Sequence, residues 1–303
     1  MTDERRGLFY GLAAYGFWGL FPLYWPLLEP AGAAEILAHR CLWSLLVVLG
    51  VLAYLRKLGS LRSLFRDRRR FGMLAVAAVL IAINWGTYIY GVNSEQVVQT
   101  ALGYFITPLV SVALGVLVLG EKLSRTQAAA VALALAAVLV LTIGYGHPPW
   151  IALILAASFS TYGLIKKQVN AGALESLGVE TAVLVIPAAL FVATLGDKAT
   201  FADSTGHALL MAGAGVVTAI PLLCFGAAAT RIPLTTLGLL QYLTPTVQFA
   251  LGVLLRHEPL PLERLIGFVL VWVALMVFTA GSLAERRRQQ AVRRARPAAP
   301  ASR

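Results

Sequence analysis

Residues 101–123, ALGYFITPLVSVALGVLVLGEKL, align without a gap on residues 238–260, GLLQYLTPTVQFALGVLLRHEPL, at an offset of 137. Eleven positions are identical: Leu102, Thr107, Pro108, Val110, Ala113, Leu114, Gly115, Val116, Leu117, Glu121 and Leu123 all meet their own kind. Leucine and valine coincide cheaply in apolar sequence. Thr-Pro, then Gly, then Glu in register at Thr244, Pro245, Gly252 and Glu258 do not, so the chain carries an internal repeat. Working outward, Ala82-Ile83 falls on Ala219-Ile220 at the same offset. With small shifts Trp18-Gly19-Leu20 is similar to Tyr162-Gly163-Leu164, and Glu35 to Glu180.

The repeat sits in a chain of 303 residues that is 59% hydrophobic and 13% charged, about half the charge of an ordinary soluble domain. A bilayer core about 30 Å thick takes roughly 20 apolar residues per helix. Ten such stretches start near Gly7, Ala33, Phe71, Val97, Thr126, Trp150, Leu177, His207, Leu234 and Leu262. They leave short loops and no room for a soluble domain. The first is read as a retained span, because no Ala-x-Ala-like exit follows it. Five spans per repeat is an odd number of crossings, so the second copy enters from the opposite side. The predicted fold is an all-α polytopic membrane protein of ten transmembrane helices in two inverted five-helix repeats. Residues 1–6 form a cytoplasmic N-terminus, 7–145 and 146–284 the repeats, and 285–303 a basic disordered tail held near anionic lipid. Inverted repeats recur in secondary transporters, whose substrate site lies near the midplane.

The net charge of +11 is unevenly spread, with 14 of the 25 Lys and Arg in residues 56–70 and 286–303. Lysine and arginine near span ends mark the cytoplasmic side rather than a nucleic-acid surface. With the N-terminus inside, inner segments hold 21 cations and outer loops three, Lys198, Arg256 and Arg264; the remaining one, Arg40, lies within the second span. Both termini are therefore expected in the cytoplasm.

Charge within a span is costly, at least about 2.5–3.5 kcal/mol on insertion scales. Arg40 thus needs a partner or a wet cavity, and it reads either as an anchor for an anionic substrate or as a cation packed on helix-end carbonyls. Glu35 and His39, four residues apart, share a face and offer a hydrogen-bonded, proton-coupling pair that also balances Arg40. On the third span Asn84, Trp85 and Tyr88 share one side and suit a cavity for an amphipathic or aromatic body. Tyr88 and Tyr90 also fit an interfacial belt. Gly103, Thr107, Ser111 and Gly115 form a small-residue packing stripe on the fourth span. Pro108 and Pro245 each remove a backbone donor and are hinge candidates. Tyr104, Gln241, Tyr242 and Gln248 lie near them as cavity candidates, and Glu180 mirrors Glu35 as a secondary one.

The chain has no HExxH, GxSxG or phosphate-loop motif, and its four histidines, at 39, 147, 207 and 257, are scattered. Cys41 and Cys224 have no CxxC companion. No catalytic residue, metal or cofactor is expected. The partners expected are a small-molecule substrate and membrane lipid, with no nucleic acid and no required protein partner.

Several stretches carry a resemblance: Glu35-Ile-Leu-Ala-His-Arg40 with Trp43-Ser44, Asn84-Trp85, Leu102-Gly-Tyr-Phe-Ile with Pro108, Tyr162-Gly163-Leu164, Glu180-Thr181, and Ile220-Pro-Leu-Leu-Cys-Phe through Leu239-Leu-Gln-Tyr to Pro245-Thr246. From about Gly7 to Ala284 the sequence resembles the RarD branch of the EamA transporters, in the drug/metabolite transporter superfamily. The resemblance implies ten helices in two EamA repeats, the bacterial inner membrane, and transport of metabolites or drugs, with RarD proteins nominally linked to chloramphenicol sensitivity. Many RarD-like chains have Asn before the fourth-span proline, where this one has Thr107. The expected function is secondary transport, as an exporter working by alternating access around a cavity lined by spans two, three, four, eight and nine, with proton coupling as an option. A passive channel or facilitator and, further off, a membrane-embedded enzyme are the alternatives.

Overall fold

The computed structural model describes residues 2–93, 97–143 and 149–254, with isolated helical positions from Ile266 to Gly281. Most of the tenth expected span, Glu258 and the basic tail lie outside the described residues. Among the described residues all regular structure is helical. The helices are α1 (Asp3–Gly19), α2 (Ala33–Tyr54), α3 (Leu58–Arg66), α4 (Arg68–Asn93), α5 (Val97–Leu117), α6 (Arg125–Ile143), α7 (Trp150–Val169), α8 (Ala173–Leu195), α9 (Thr205–Ala229), α10 (Leu234–Leu240) and α11 (Leu243–Leu254).

Local signals set several of these boundaries. The Thr2 hydroxyl accepts from the Arg5 amide (3.4 Å) and Ser204 from the His207 amide (3.1 Å), capping α1 and α9. Asp67 Oδ1 accepts from the amides of Arg69 and Arg70, both at 3.1 Å, at the start of α4. Asn170, with φ at 47°, ends α7 in the left-handed conformation that asparagine tolerates. Helices α2, α4, α8 and α9 are long and apolar enough to cross a membrane.

Two features were not expected from the sequence. Helix α3 is a short amphipathic element between the second and third spans: Leu61 and Leu64 are buried, Leu61 against α8, while its cations stay exposed. The ninth expected span is broken, α10 ending at Leu240 and α11 starting at Leu243. Pro245 has no N–H for the Gln241 carbonyl, which accepts instead from the Thr244 amide at 3.0 Å, so the turn tightens there. Pro108, at the matching position of α5, lies inside an unbroken helix.

Helices from the first half of the chain pack chiefly on helices from the second: α1 and α2 on α9, α2 on α8, α4 and α5 on α7, and α5 on α10. Where α2 crosses α9, a Cβ on Gly215 would stand 2.5 Å from the Trp43 backbone carbon, and the Ser44 hydroxyl donates to the Gly215 carbonyl at 3.1 Å. Near the centre the Tyr242 hydroxyl donates to the Phe105 carbonyl at 3.1 Å, two residues 137 apart. At the end of the bundle that carries Asp3, both Glu121 oxygens accept from the first amides of α10, Leu234 (2.7 Å) and Thr235 (2.9 Å). There too Lys167 donates to the Ile232 carbonyl at 2.7 Å and Arg231 pairs with Asp3 at 3.2 Å.

Candidate functional site

Beyond this tied end, toward the C-terminal half of α1, the helices diverge around a cavity of about 120 Å³ measured at water centres, room for on the order of ten waters. Its wall is aromatic. Tyr15 and Trp18 come from α1, Phe21 and Trp25 from the two 3-10 turns that follow it, Trp85 and Tyr88 from α4, Tyr104 from α5 and Phe159 from α7. The polar groups are Arg40 on α2, Asn84 on α4, Thr107 on α5, Gln241 after α10, and Thr244 and Gln248 on α11.

Arg40 dominates the electrostatics. Its guanidinium carbon lies 4.7 Å from the Trp25 ring centroid, 4.5 Å from that of Trp85 and 5.9 Å from that of Phe21. Its Nε donates to Thr218 on α9 at 2.8 Å. Among the described residues no carboxylate lines the cavity. The guanidinium lies against both indoles and its Nε is spent on Thr218, so the terminal N–H groups are the donors it has left for a ligand, a pair that suits a carboxylate. A smaller void of about 10 Å³, room for one water, lies beside Arg40 and reaches Glu180.

The amides around the cavity differ in how they are held. Asn84 spends its N–H groups on the Leu155 carbonyl (2.9 Å) and Ser158 hydroxyl (3.0 Å), which anchors α4 to α7. Gln248 reaches the Trp18 carbonyl at 3.4 Å. Gln241 is 5% exposed and its Oε1 has no hydrogen-bond partner.

Of the candidate residues singled out from the sequence, Arg40, Asn84, Trp85, Tyr88, Tyr104, Gln241 and Gln248 converge on this cavity, together with Thr107 of the small-residue stripe; Glu35, His39, Tyr90, Glu180 and Tyr242 do not. Glu35 and His39 neither pair with each other nor balance Arg40. The Glu35 carboxylate accepts from the Thr200 amide (2.7 Å) and hydroxyl (3.1 Å), and His39 stacks on Phe201 at 4.6 Å with both ring nitrogens unpartnered. The loop before α9 folds over the start of α2 and takes both side chains. Tyr242 is fully buried, its hydroxyl spent on Phe105, so it belongs to the core. Glu180 accepts from Lys166 at 2.6 Å and Tyr162 at 3.0 Å in a buried ion pair joining α7 to α8. Tyr90 is 60% exposed on the outside of the bundle. The eighth span, expected in the wall, gives no residue to the main cavity, whereas spans one and six do.

Tyr15, Phe21 and Trp25 were not singled out in the sequence, and Trp18 only as part of the repeat; all four sit together at the end of the first span. The available signal was their density, together with the prolines at 22 and 26 that turn the chain back over the bundle.

Residues 5–143 match the model of the EamA-like transporter family. The chain is 58% identical over 293 residues to Protein RarD of Streptomyces exfoliatus, covering 96% of this chain and 93% of that protein. It is 42% identical over 281 residues to an uncharacterized transporter of Pseudomonas aeruginosa, covering 92% and 94%. A solved crystal structure superposes with a TM-score of 0.70 at 16% identity, over 92% of this chain and 98% of that one, a likeness of fold alone. With a membrane-spanning helical bundle and relatives matched along nearly its whole length, the chain belongs to the EamA-like transporter family as a RarD-like, multi-pass membrane transporter.

Proposed function

We propose that the chain is a ten-helix secondary transporter of the bacterial inner membrane, with both termini cytoplasmic, that exports small metabolites or drugs by alternating access around the Arg40 cavity. Residues 7–145 and 146–284 are its two inverted repeats. The observation that carries this reading is the wall of the cavity at repeat-related positions. Tyr104 and Gln241 stand 137 residues apart, as do Thr107 and Thr244, and all four line it.

The repeat-related elements also differ in conformation. Helix α5 runs unbroken while α10 and α11 are separated, and Thr107 bonds its own helix at Gly103 (2.7 Å) while Thr244 reaches across to Tyr15 (2.9 Å). An inverted-repeat carrier gains its two states by letting the repeats exchange such conformations. The cavity stands clear of the Asp3 end, where Glu121, Lys167 and Arg231 tie α10 and its approach in place, an arrangement that fits an outward-facing state. Arg40 suits a carboxylate and the indoles an apolar or aromatic body. Proton coupling falls to Glu35 and His39, one turn apart. The family and the relatives' names are those of transporters rather than enzymes, and no cofactor or protein partner enters this reading.

The test is uptake of amino acids, organic acids and amphenicols into proteoliposomes, with and without a proton gradient. Wild type is compared with Arg40→Ala and Glu35→Gln. Saturable flux is expected, lost in Arg40→Ala and insensitive to the gradient in Glu35→Gln. Flux that never saturates identifies a passive pore and defeats the carrier reading.

A further inference from the structure

We propose that the substrate is a monoanion carrying a carboxylate and a separate N–H or O–H donor on an apolar body, the carboxylate bound by Arg40 and the donor by Gln241 Oε1. This rests on the cavity being the transport site and specifies what it selects.

Charge sets the first requirement. Lys166 and Glu180 cancel as a pair at 2.6 Å and the buried Glu35 is held by Thr200 outside the wall, which leaves Arg40 as the one charge among the described residues that line the cavity. Its Nε is committed to Thr218 and the Trp25 and Trp85 ring centroids lie 4.7 and 4.5 Å from its guanidinium carbon, so the terminal N–H groups are the donors left to meet a carboxylate. One negative charge neutralises the site. A zwitterion leaves it positive and brings an ammonium into a wall that holds no carboxylate among the described residues.

Gln241 sets the second. A buried amide oxygen without a donor carries the full cost of its desolvation until something donates to it. Gln241 stands at the break between α10 and α11, and its side chain lines the same cavity. A ligand donor there satisfies an acceptor the protein leaves open, whereas a ligand with only acceptors leaves it unpaired. Such a site rejects the analogue that lacks the donor far more strongly than a site that merely loses a contact. The remaining wall is ring carbon, which sets the body of the ligand. A cavity of about 120 Å³ holds the ligand to a small molecule.

Four probes separate these requirements: hippurate has the carboxylate, the N–H and a phenyl ring; benzoyloxyacetate replaces the N–H with oxygen at the same shape; hippuramide removes the charge; phenylalanine is zwitterionic. Binding to the purified full-length protein is read from quenching of tryptophan fluorescence, since Trp18, Trp25 and Trp85 line the site. Wild type is expected to bind hippurate about tenfold or more tightly than each of the other three. The preference over benzoyloxyacetate should vanish in Gln241→Met, and the preference over hippuramide in Arg40→Gln. Equal binding of all four, binding of none, or an N–H preference that survives Gln241→Met overturns the proposal. The wild-type comparison alone decides it if a variant does not fold. Flux through proteoliposomes is scored separately: transport without these ratios defeats the substrate assignment only, and the ratios without transport defeat the carrier reading only.

Discussion

Arg40 is the residue on which the site turns, and it shows how a buried cation is tolerated without a carboxylate. Two indoles at 4.5 and 4.7 Å and one hydroxyl at 2.8 Å replace part of its hydration, and its remaining donors face an open cavity. A lysine ammonium keeps the charge but loses the planar fork and the stacking, so Arg40→Lys is expected to weaken hippurate binding by about tenfold or more, read in the same quenching titration. Lys166 and Glu180 solve the burial problem the other way, by pairing. Removing one partner strands the other, so Lys166→Met should cost about 3–5 kcal/mol. Lys166→Met combined with Glu180→Leu should recover most of that, because an apolar pair needs no compensation. Denaturation in detergent measures both. Arg40 was legible as an anomaly of charge in an apolar run. Its partners were not: Trp25 comes from a turn fifteen positions earlier and Thr218 from another helix.

At the scale of elements, the positions of the first nine apolar runs were legible because length and apolarity are local properties that a bilayer reads directly, whereas α3 and the break between α10 and α11 were not. The α2–α9 crossing depends on a detail that hydropathy does not contain, the missing side chain of Gly215 against the Trp43 backbone. Gly215→Ala forces the two helices apart or bends them, at about 1–3 kcal/mol, and should lower the melting temperature by several degrees. Gly16, with nothing within 4 Å of an added Cβ, is the control that should not. The prolines carry a different lesson. Pro108 and Pro245 occupy matching positions and were equal candidates, yet only the ninth span breaks, at Gln241 and Tyr242. A proline removes one hydrogen bond in either place, and whether the helix parts there is decided by what takes up the freed carbonyl, as the Thr244 amide does with that of Gln241.

At the scale of the whole molecule, the two halves of the chain are interleaved rather than side by side, so the cavity is walled by both and a change in one must be felt by the other. The cation distribution predicts its orientation. With both native cysteines replaced, Ser204→Cys, in the exposed loop before α9, should react with a membrane-impermeant maleimide added to intact spheroplasts. Ser63→Cys, on α3, should react only after the cells are opened. The reverse pattern would invert the topology and with it the assignment of an outward-facing state. In the proposed outward-facing form, the Glu121 cap on α10, the Lys167 contact at Ile232 and the Arg231–Asp3 pair are the contacts that would hold the other side shut.

By itself the sequence determined the membrane setting, the starts of the helices, the internal repeat and the family, because each follows from composition, run length or residue identity read along one chain. The tertiary structure alone decided which side chains share a cavity. Helices that are apolar nearly all round do not encode the rotation that turns one face inward, so the sequence could not say that Glu35 would be taken by Thr200, that Tyr242 would be spent on Phe105, or that Trp25 and Trp85 would meet at Arg40. Those pairings are contacts between distant segments, fixed only when the helices pack.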